Sequence, residues 1–457
     1  MNKSQDKEIR TRIAPSPTGD LHIGTVRTAL FSYLFAKQND GKFIVRIEDT
    51  DKERSKKEFE KDILEGFKWL GLKEDEMYRQ SERTDVYKKY IKQLLDSENA
   101  YISKEESKAN PPAGGAGKEI EVVRLKNPGK KVEFEDMIRG KIEFDTTELG
   151  DFVIARSIDD PLYHLAVVVD DHEMSISHII RGEDHISNTP RQILIQEALG
   201  INRPKYAHIP LILAPDRSKM SKRRNATSIT EYRQKGYISR ALVNYMALLG
   251  WNPGTDRELF TLEKLIEEFK LENIQKGGAA FDIEKLNWFN REYIKRMSED
   301  EVFENVKENL PTSIINMSEY SDAILRKIIP IISERMNVFG DIKQMSDDGE
   351  LDYYFKNPEY NAKDLLWKQD TDLKTSSEHL KKIASLLEGI NENDFIQDSV
   401  KEVVWGYAEE KGKGSVLWPM RYALSGRDKS PDPFALAEVL GKDETIYRLN
   451  NAINKIG

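Results

Sequence analysis

The 457-residue chain contains no cysteine, which excludes disulfides and thiolate metal sites and leaves seven histidines and the carboxylates as its strong metal ligands. It also lacks any apolar run approaching the roughly 20 residues that a membrane span needs. Residues 1–12 are polar and mixed in charge, so no targeting helix is expected and a cytoplasmic location is the default reading. An excess of positive charge is missing too: the formal net charge is −9, and any surface for a polyanion has to be a local patch. What remains is a well-solvated globular composition, 39% hydrophobic and 33% charged, in a chain too long for one core.

The start of the chain reads as strand, helix, strand, helix. A strand over 9–14 leads to a helix over 25–38 with Ala29, Leu30, Tyr33 and Leu34 on one face, and Asn39-Asp40-Gly41 stops it before a strand over 43–47. This βαβ order predicts a doubly wound nucleotide-binding sheet. Two amphipathic helices follow, one carrying Phe59, Ile63, Phe67 and Leu70 and the other Tyr87, Tyr90, Ile91 and Leu94. The texture then changes: 103–119 contains Asn110-Pro111-Pro112-Ala113-Gly114-Gly115-Ala116-Gly117, expected to be a flexible surface loop. Alternation at 120–125 and a hairpin over 132–144 turning near Arg139-Gly140 predict a small insertion. The apolar runs 152–155 and 165–169, the latter ending in Asp170-Asp171, are expected to be buried parallel strands that rejoin the split sheet. Beyond residue 238 the pattern is helical, over 238–249, 262–269, 283–294, 324–336, 380–390, 396–408, 416–424 and 434–449. The expected architecture is multidomain α/β. A Rossmann-like doubly wound catalytic domain lies in two halves, 1–98 and 161–235, around a short α+β insertion, 99–160, and all-α units follow at 236–310 and 311–457.

Two segments far apart in sequence carry the chemistry. His22-Ile23-Gly24-Thr25, preceded by the stiff loop Ala14-Pro15-Ser16-Pro17-Thr18-Gly19, puts an imidazole and a glycine where a helix begins, and a helix start offers unpaired N–H groups and a positive dipole end to phosphate. Lys219-Met220-Ser221-Lys222-Arg223 sets two ammoniums around a Met-Ser pair, suited to closing on a polyphosphate. Each has an ordinary alternative, a helix cap in one case and solvated charge in the other; together they indicate activation by ATP. Glu48-Asp49-Thr50-Asp51 and Arg181-Gly182-Glu183-Asp184-His185 follow strands, and the carboxyl ends of strands are where doubly wound folds bind ligands. An acidic helix cap and a surface ion pair are the plain readings of these clusters.

Taken with Arg12-Ile13-Ala14-Pro15-Ser16-Pro17-Thr18-Gly19, Val45-Arg46-Ile47-Glu48-Asp49-Thr50-Asp51 and Tyr163-His164-Leu165-Ala166, these blocks make the chain resemble the bacterial-type glutamyl-tRNA synthetases of class I through nearly its whole length. The resemblance implies ATP-dependent joining of L-glutamate to tRNA(Glu) through glutamyl adenylate, with Mg²⁺ as the nucleotide's companion ion and a monomeric enzyme. It implies that the insertion meets the acceptor end, that 236–310 contacts the stem and that 311–457 binds the anticodon. His22, Thr25, Lys219 and Lys222 become the catalytic residues. His22, Gly24, Asp184, Met220, Ser221 and Lys222 become the ATP contacts. Arg12, Ser16, Glu48, Tyr163 and Arg181 surround the glutamate, and Arg421, in Trp418-Pro419-Met420-Arg421, contacts tRNA. Bound glutamate presents two carboxylates and one ammonium, and Arg12, Arg181 and Glu48 supply the matching charges, with Arg181 expected on the side-chain carboxylate. The chain departs from the family in two respects: the cysteine-based zinc site of many relatives is absent, so no zinc is expected, and Thr25 stands where other class I enzymes have a second histidine. Charging of tRNA(Gln) as well as tRNA(Glu) stays open. So do a small-molecule nucleotidyltransferase, a tRNA-modifying glutamyl-Q type enzyme and a non-enzymatic RNA-binding paralogue; the first leaves the Glu/Arg site unexplained, the second lacks the helical third, and the third would have lost His22 or a lysine.

Overall fold

The computed structural model describes residues 8–106, 119–218, 220 and 228–457. Its contacts divide the chain into two units, one ending at Tyr293 and the other beginning at Ile294.

In the first unit, β1 (Arg10–Ile13) and β2 (Lys42–Ile47) pair in parallel across the helix α1 (Ile23–Gln38). The Asn39-Asp40-Gly41 stop makes this close return possible: Asp40 takes a left-handed φ of 52°, and any Cβ at residue 41 would collide with the Ile9 carbonyl. Helix α1 is buried around most of its circumference rather than along one stripe. After α2 (Lys57–Trp69), β3 (Glu76–Arg79) adds in parallel to the outer edge of β2, and α3 (Thr84–Asp96) leads away.

The insertion contributes β4 (Ala100–Glu106), β5 (Glu119–Leu125), β6 (Lys131–Asp136), β7 (Gly140–Asp145), β8 (Phe152–Ser157) and β9 (Asp160–Pro161). The expected strand and hairpin are present, with Gly140 at φ 79° in the turn. The run 152–155 is a correction: it is an antiparallel strand against β5, in the order β4-β5-β8-β9, and not a parallel strand of the nucleotide-binding sheet. The run 165–169 is another, since it lies inside helix α4 (Tyr163–Glu173). Both faces of that segment are buried, and a short apolar run without alternation reads the same for a buried strand as for a buried helix.

Next come β10 (His178–Gly182), α5 (Thr189–Leu199) and β11 (Lys205–Ile209). The Ser177 amide donates to the Arg10 carbonyl at 2.9 Å, which sets β10 beside β1 on the side away from β2, so strands diverge from β1 in both directions as in doubly wound folds. β10 and β11 are parallel, and β6 continues that sheet through the pair Tyr206 and Asp136, in the order β10-β11-β6-β7. The first unit ends in helices α6 (Ile229–Gln234), α7 (Ser239–Leu248), α8 (Leu262–Glu268) and α9 (Ile283–Ile294).

The second unit is helical among its described residues, with its longest helices at Leu373–Glu388, Gln397–Lys411, Lys413–Ser425 and Lys442–Ile456. The single helix expected over 434–449 is two, Pro433–Leu440 and Lys442–Ile456, because Gly441 at φ 79° breaks the first. No helix of the described residues is long and apolar enough to cross a membrane.

Candidate functional site

A cavity of about 400 Å³ opens at the carboxyl ends of β1, β2 and β10 and the start of α1. Arg12, Ser16, His22, Gly24, Thr25, Glu48, Tyr163, Arg181, Asp184 and Met220 all line it. The topology explains the gathering: residues that lie far apart in the chain leave neighbouring parallel strands at the same end. Lys219, Ser221 and Lys222 lie outside the described residues. Arg421 belongs to the second unit, half-buried on the helix Lys413–Ser425, its carbonyl accepting from the Ser425 hydroxyl at 2.8 Å.

At the helix start, His22 is the N-cap of α1, and its Nδ1 accepts from the Gly24 amide at 3.0 Å. A Cβ on Gly24 would press on that ring at 3.3 Å. The described residues after the lysine motif pack on the histidine motif: Ser228 bridges His22, and the Ile229 amide donates to the Leu21 carbonyl at 3.0 Å. Asp62 on α2 secures the junction, one oxygen accepting from the Leu21 amide at 2.8 Å and the other from the Thr230 hydroxyl. Met220, from within the lysine motif, is buried in the cavity wall.

Beneath the cavity floor lies a buried ionic network that the motifs did not disclose. Arg46 is wholly enclosed; its Nη1 donates to Asp171 at 2.7 Å, its Nη2 to Glu48 at 3.1 Å, and its Nε lies 3.7 Å from Asp170. Arg12 Nε reaches the same Asp171 oxygen at 3.2 Å. Asp170 is held further by Arg83 Nε at 2.7 Å, Gln80 at 2.8 Å and the Tyr87 hydroxyl at 2.8 Å. Burial works against the charge of Arg46, but Asp171, Glu48 and Asp170 outweigh it and raise its pKa. Burial pushes the Glu48 carboxyl up, opposed by Arg46 and Arg12. Two of the three charges expected to meet glutamate, Arg12 and Glu48, are therefore already members of pairs.

Arg181 differs. It is buried on β10, its Nε donates to His208 Nε2 at 3.1 Å and its Nη2 to the Thr189 hydroxyl at 2.8 Å. Its Nη1 is buried with no hydrogen-bond partner. Burial lowers its pKa, and among the described residues no carboxylate is paired with it directly. Around it, His185 is pushed down to about 4 by burial and by the Arg181 charge, so at neutral pH it adds no second cation; Tyr163 OH lies 3.3 Å from its Nδ1. Arg12, Arg46, Arg83 and Arg181 face Glu48, Asp170 and Asp171, and the uncompensated positive charge belongs to Arg181. Sequence reasoning quoted Arg46 and Asp170-Asp171 without a role, and passed over Thr189 and His208, which sit in no motif.

Comparison with known proteins places these features in a wider set. The chain matches the model described as tRNA synthetases class I (E and Q), catalytic domain, over residues 8–110 and 104–288, and the anticodon binding domain model over 301–453. It is similar to the glutamate–tRNA ligase of Carboxydothermus hydrogenoformans, with 39% identity over 98% of this chain and 100% of that one. To glutamate–tRNA ligase 1 of Caldicellulosiruptor saccharolyticus it is 41% identical over 97% of this chain and 98% of the relative. Among solved structures it is similar to a glutamate tRNA ligase from Elizabethkingia meningosepticum in complex with its amino acid, with a TM-score of 0.84 and 33% identity, covering 99% of this chain and 100% of the other.

Proposed function

The chain belongs to the class I tRNA synthetases of the glutamate and glutamine type, and from that membership we propose which of its residues hold each part of the substrates when it ligates L-glutamate to tRNA. The reaction runs through glutamyl adenylate and gives glutamyl-tRNA, AMP and pyrophosphate. Glutamate's α-carboxylate attacks the α-phosphorus of ATP, a new C–O–P linkage forms, and pyrophosphate leaves with the electron pair of the broken P–O bond. No side-chain nucleophile is required, so positioning and stabilisation of the growing phosphate charge carry the catalysis.

The observation that carries the assignment of the amino-acid site is the unpartnered Nη1 of Arg181. A buried guanidinium edge without a partner is costly, and an incoming carboxylate removes that cost. Glutamate's side-chain carboxylate is the group we set there. Glutamine would turn an amide NH₂ toward the same donors and leave both sides unpaired, a mismatch that polar sites reject strongly. Glu48 takes the ammonium and Arg12 supplies the second cation, both oriented beforehand by Arg46 and Asp171, while Ser16 and Tyr163 add neutral hydrogen bonds. His22, Gly24, Thr25 and Asp184 face the nucleotide together with Met220, and Lys219, Ser221 and Lys222 close on its phosphates. Mg²⁺ accompanies ATP as part of that substrate. In the second unit Arg421 contacts tRNA; Trp418, one turn earlier on its helix, tilts against Trp367 and Tyr422 and fixes that face of the helix. The same reading takes the enzyme as a cytoplasmic monomer.

The test is attachment of labelled glutamate to purified tRNA(Glu) and tRNA(Gln), with adenylate formation followed in single turnover. Lys222→Ala is expected to slow the adenylate step about 10²- to 10³-fold, the usual cost of one preorganised donor. Arg181→Cys is expected to abolish glutamate use while the circular dichroism spectrum stays that of the folded chain. Wild-type glutamate affinity in Arg181→Cys refutes the assignment of that site, and an unchanged adenylate rate in Lys222→Ala refutes the role of the lysine segment.

A further inference from the structure

The two hydrogen bonds that aim Arg181 come from side chains, His208 and Thr189, that do not line the cavity. His208 stands beside Arg181 on the next parallel strand, in register with it. Its Nδ1 lies 2.6 Å from an oxygen of Asp136, at the end of β6, and its Nε2 lies 3.1 Å from Arg181 Nε. Arg181 Nε always carries its proton, so His208 Nε2 has to present its lone pair. That requirement puts the imidazole proton on Nδ1, donated to Asp136. The carboxylate is committed as an acceptor on every side: it also takes the amides of Ile138 at 3.0 Å, Arg139 at 2.9 Å and His208 at 3.1 Å. Burial alone would raise the Asp136 carboxyl, but these bonds hold it below its ordinary range. On the same edge of Arg181, the Thr189 hydroxyl accepts from Nη2 at 2.8 Å and lies 3.2 Å from His208 Nε2. Nε and Nη2 form one edge of the guanidinium fork, and with that edge occupied the Nη1 end is directed at the cavity.

We infer that His208 and Asp136 are positioning residues for glutamate specificity: Asp136 selects the Nδ1–H tautomer of His208, and that tautomer clamps Arg181 with its Nη1 edge turned to the substrate's side-chain carboxylate. The inference rests on the reading of Arg181 as the partner of that carboxylate. The groups facing the imidazole are Asp136 and Arg139 from the β6–β7 hairpin, Arg181 from β10, His185 beyond it and Tyr206 on its own strand, stacked at 6.2 Å. Of these, Asp136 is the one carboxylate within hydrogen-bond reach of the ring among the described residues. Removing its second oxygen is therefore decisive. An asparagine that turns its NH₂ to Nδ1 drives the proton to Nε2, against Arg181 Nε–H. An asparagine that turns the other way sets its NH₂ against two backbone amides.

The experiment measures KM for glutamate and for ATP, kcat and the melting temperature in the full chain, for wild type, Arg181→Cys, His208→Leu, His208→Gln and Asp136→Asn. His208→Leu and Asp136→Asn are expected to raise glutamate KM roughly 10- to 100-fold, the scale of a misaligned binding group, with ATP KM within about twofold of wild type. His208→Gln, whose carbonyl can accept from Arg181 Nε, is expected to recover most of the glutamate affinity. Imidazole ¹⁵N shifts should show Nδ1–H at residue 208 in wild type, assigned by its loss in His208→Gln. Wild-type glutamate KM in His208→Leu and Asp136→Asn, beside loss of glutamate use in Arg181→Cys, overturns this inference alone. Normal glutamate KM in Arg181→Cys overturns the reading beneath it as well. Parallel rises in glutamate and ATP KM with a lowered melting temperature show a structural role and also overturn it.

Discussion

Arg46 is the residue on which the site's electrostatics turn. Its three acidic neighbours hold positions that no single carboxylate could keep in so dry an environment. Two of them in turn serve the cavity, Glu48 by lining it and Asp171 by restraining Arg12. Replacing the guanidinium with an apolar chain of similar length leaves buried carboxylates without compensation, and loss of one partner of a buried pair costs about 3–5 kcal/mol. Arg46→Met is expected to destabilise the first unit by about that amount, read from the shift of its urea transition, and to weaken glutamate binding in whatever fraction stays folded. A shift under about 1 kcal/mol would mean that water reaches the network and screens it. Arg46 was visible in the chain only as part of Val45-Arg46-Ile47-Glu48; nothing in a linear pattern says that an arginine inside a strand faces, besides the acid two residues on, two more from a distant helix. Arg181 was easier to read, because it follows a strand whose end belongs to the ligand side, and the charges of glutamate require a cation there.

At the scale of elements, the contact between α1, α2 and α6 matters most. Asp62 on α2 ties the loop before α1 to Thr230 in the first turn of α6, and Gly66, one turn further, lets Leu21 lie against the helix; a Cβ there would come within 2.5 Å of Leu21 Cδ2. The histidine motif and the segment leaving the lysine motif are thereby indexed to one helix. Asp62→Ala is expected to lower the single-turnover adenylate rate about tenfold or more, since misplacement of a reacting group is expensive, while stability falls by about 1–3 kcal/mol for the unsatisfied Leu21 amide. A loss of stability with an unchanged adenylate rate would count against a role in alignment. The elements themselves were largely legible: β1, α1, β2, the insertion hairpin and most C-terminal helices follow from periodicity and stop signals. The failures have separate causes. Residues 165–169 are buried on every side, which removes the polar face that distinguishes a 3.6-residue period from a two-residue one. In the 434–449 pattern Gly441 followed by Lys442-Asp443-Glu444 is itself a stop and restart signal, and the apolar residues on either side masked it.

For the molecule as a whole, the division at residues 293 and 294 sets the cavity in the first unit and the anticodon binding domain match in the second. The second unit carries more Asp and Glu than Lys and Arg, so its grip on RNA has to come from local contacts rather than from overall attraction. Two modules acting on one tRNA gain through effective concentration, an advantage of about 10²-fold or more. A fragment of residues 1–297 is expected to bind glutamate and ATP as the full chain does in calorimetry, and to require a tRNA concentration raised by about that factor for half-maximal charging. Charging by the fragment at the tRNA concentrations used by the full chain would refute this division of labour.

The β6–β7 hairpin has a consequence for how such enzymes can be recombined. By sequence it belongs to the insertion, yet by hydrogen bonding it is the outer edge of the sheet that bears Arg181. A cassette cut at the apparent insertion boundaries and exchanged with a relative would carry Asp136 away with it, removing the carboxylate that holds His208 beside Arg181. The workable seams lie inside, between the strands of β4, β5 and β8 on one side and the hairpin on the other.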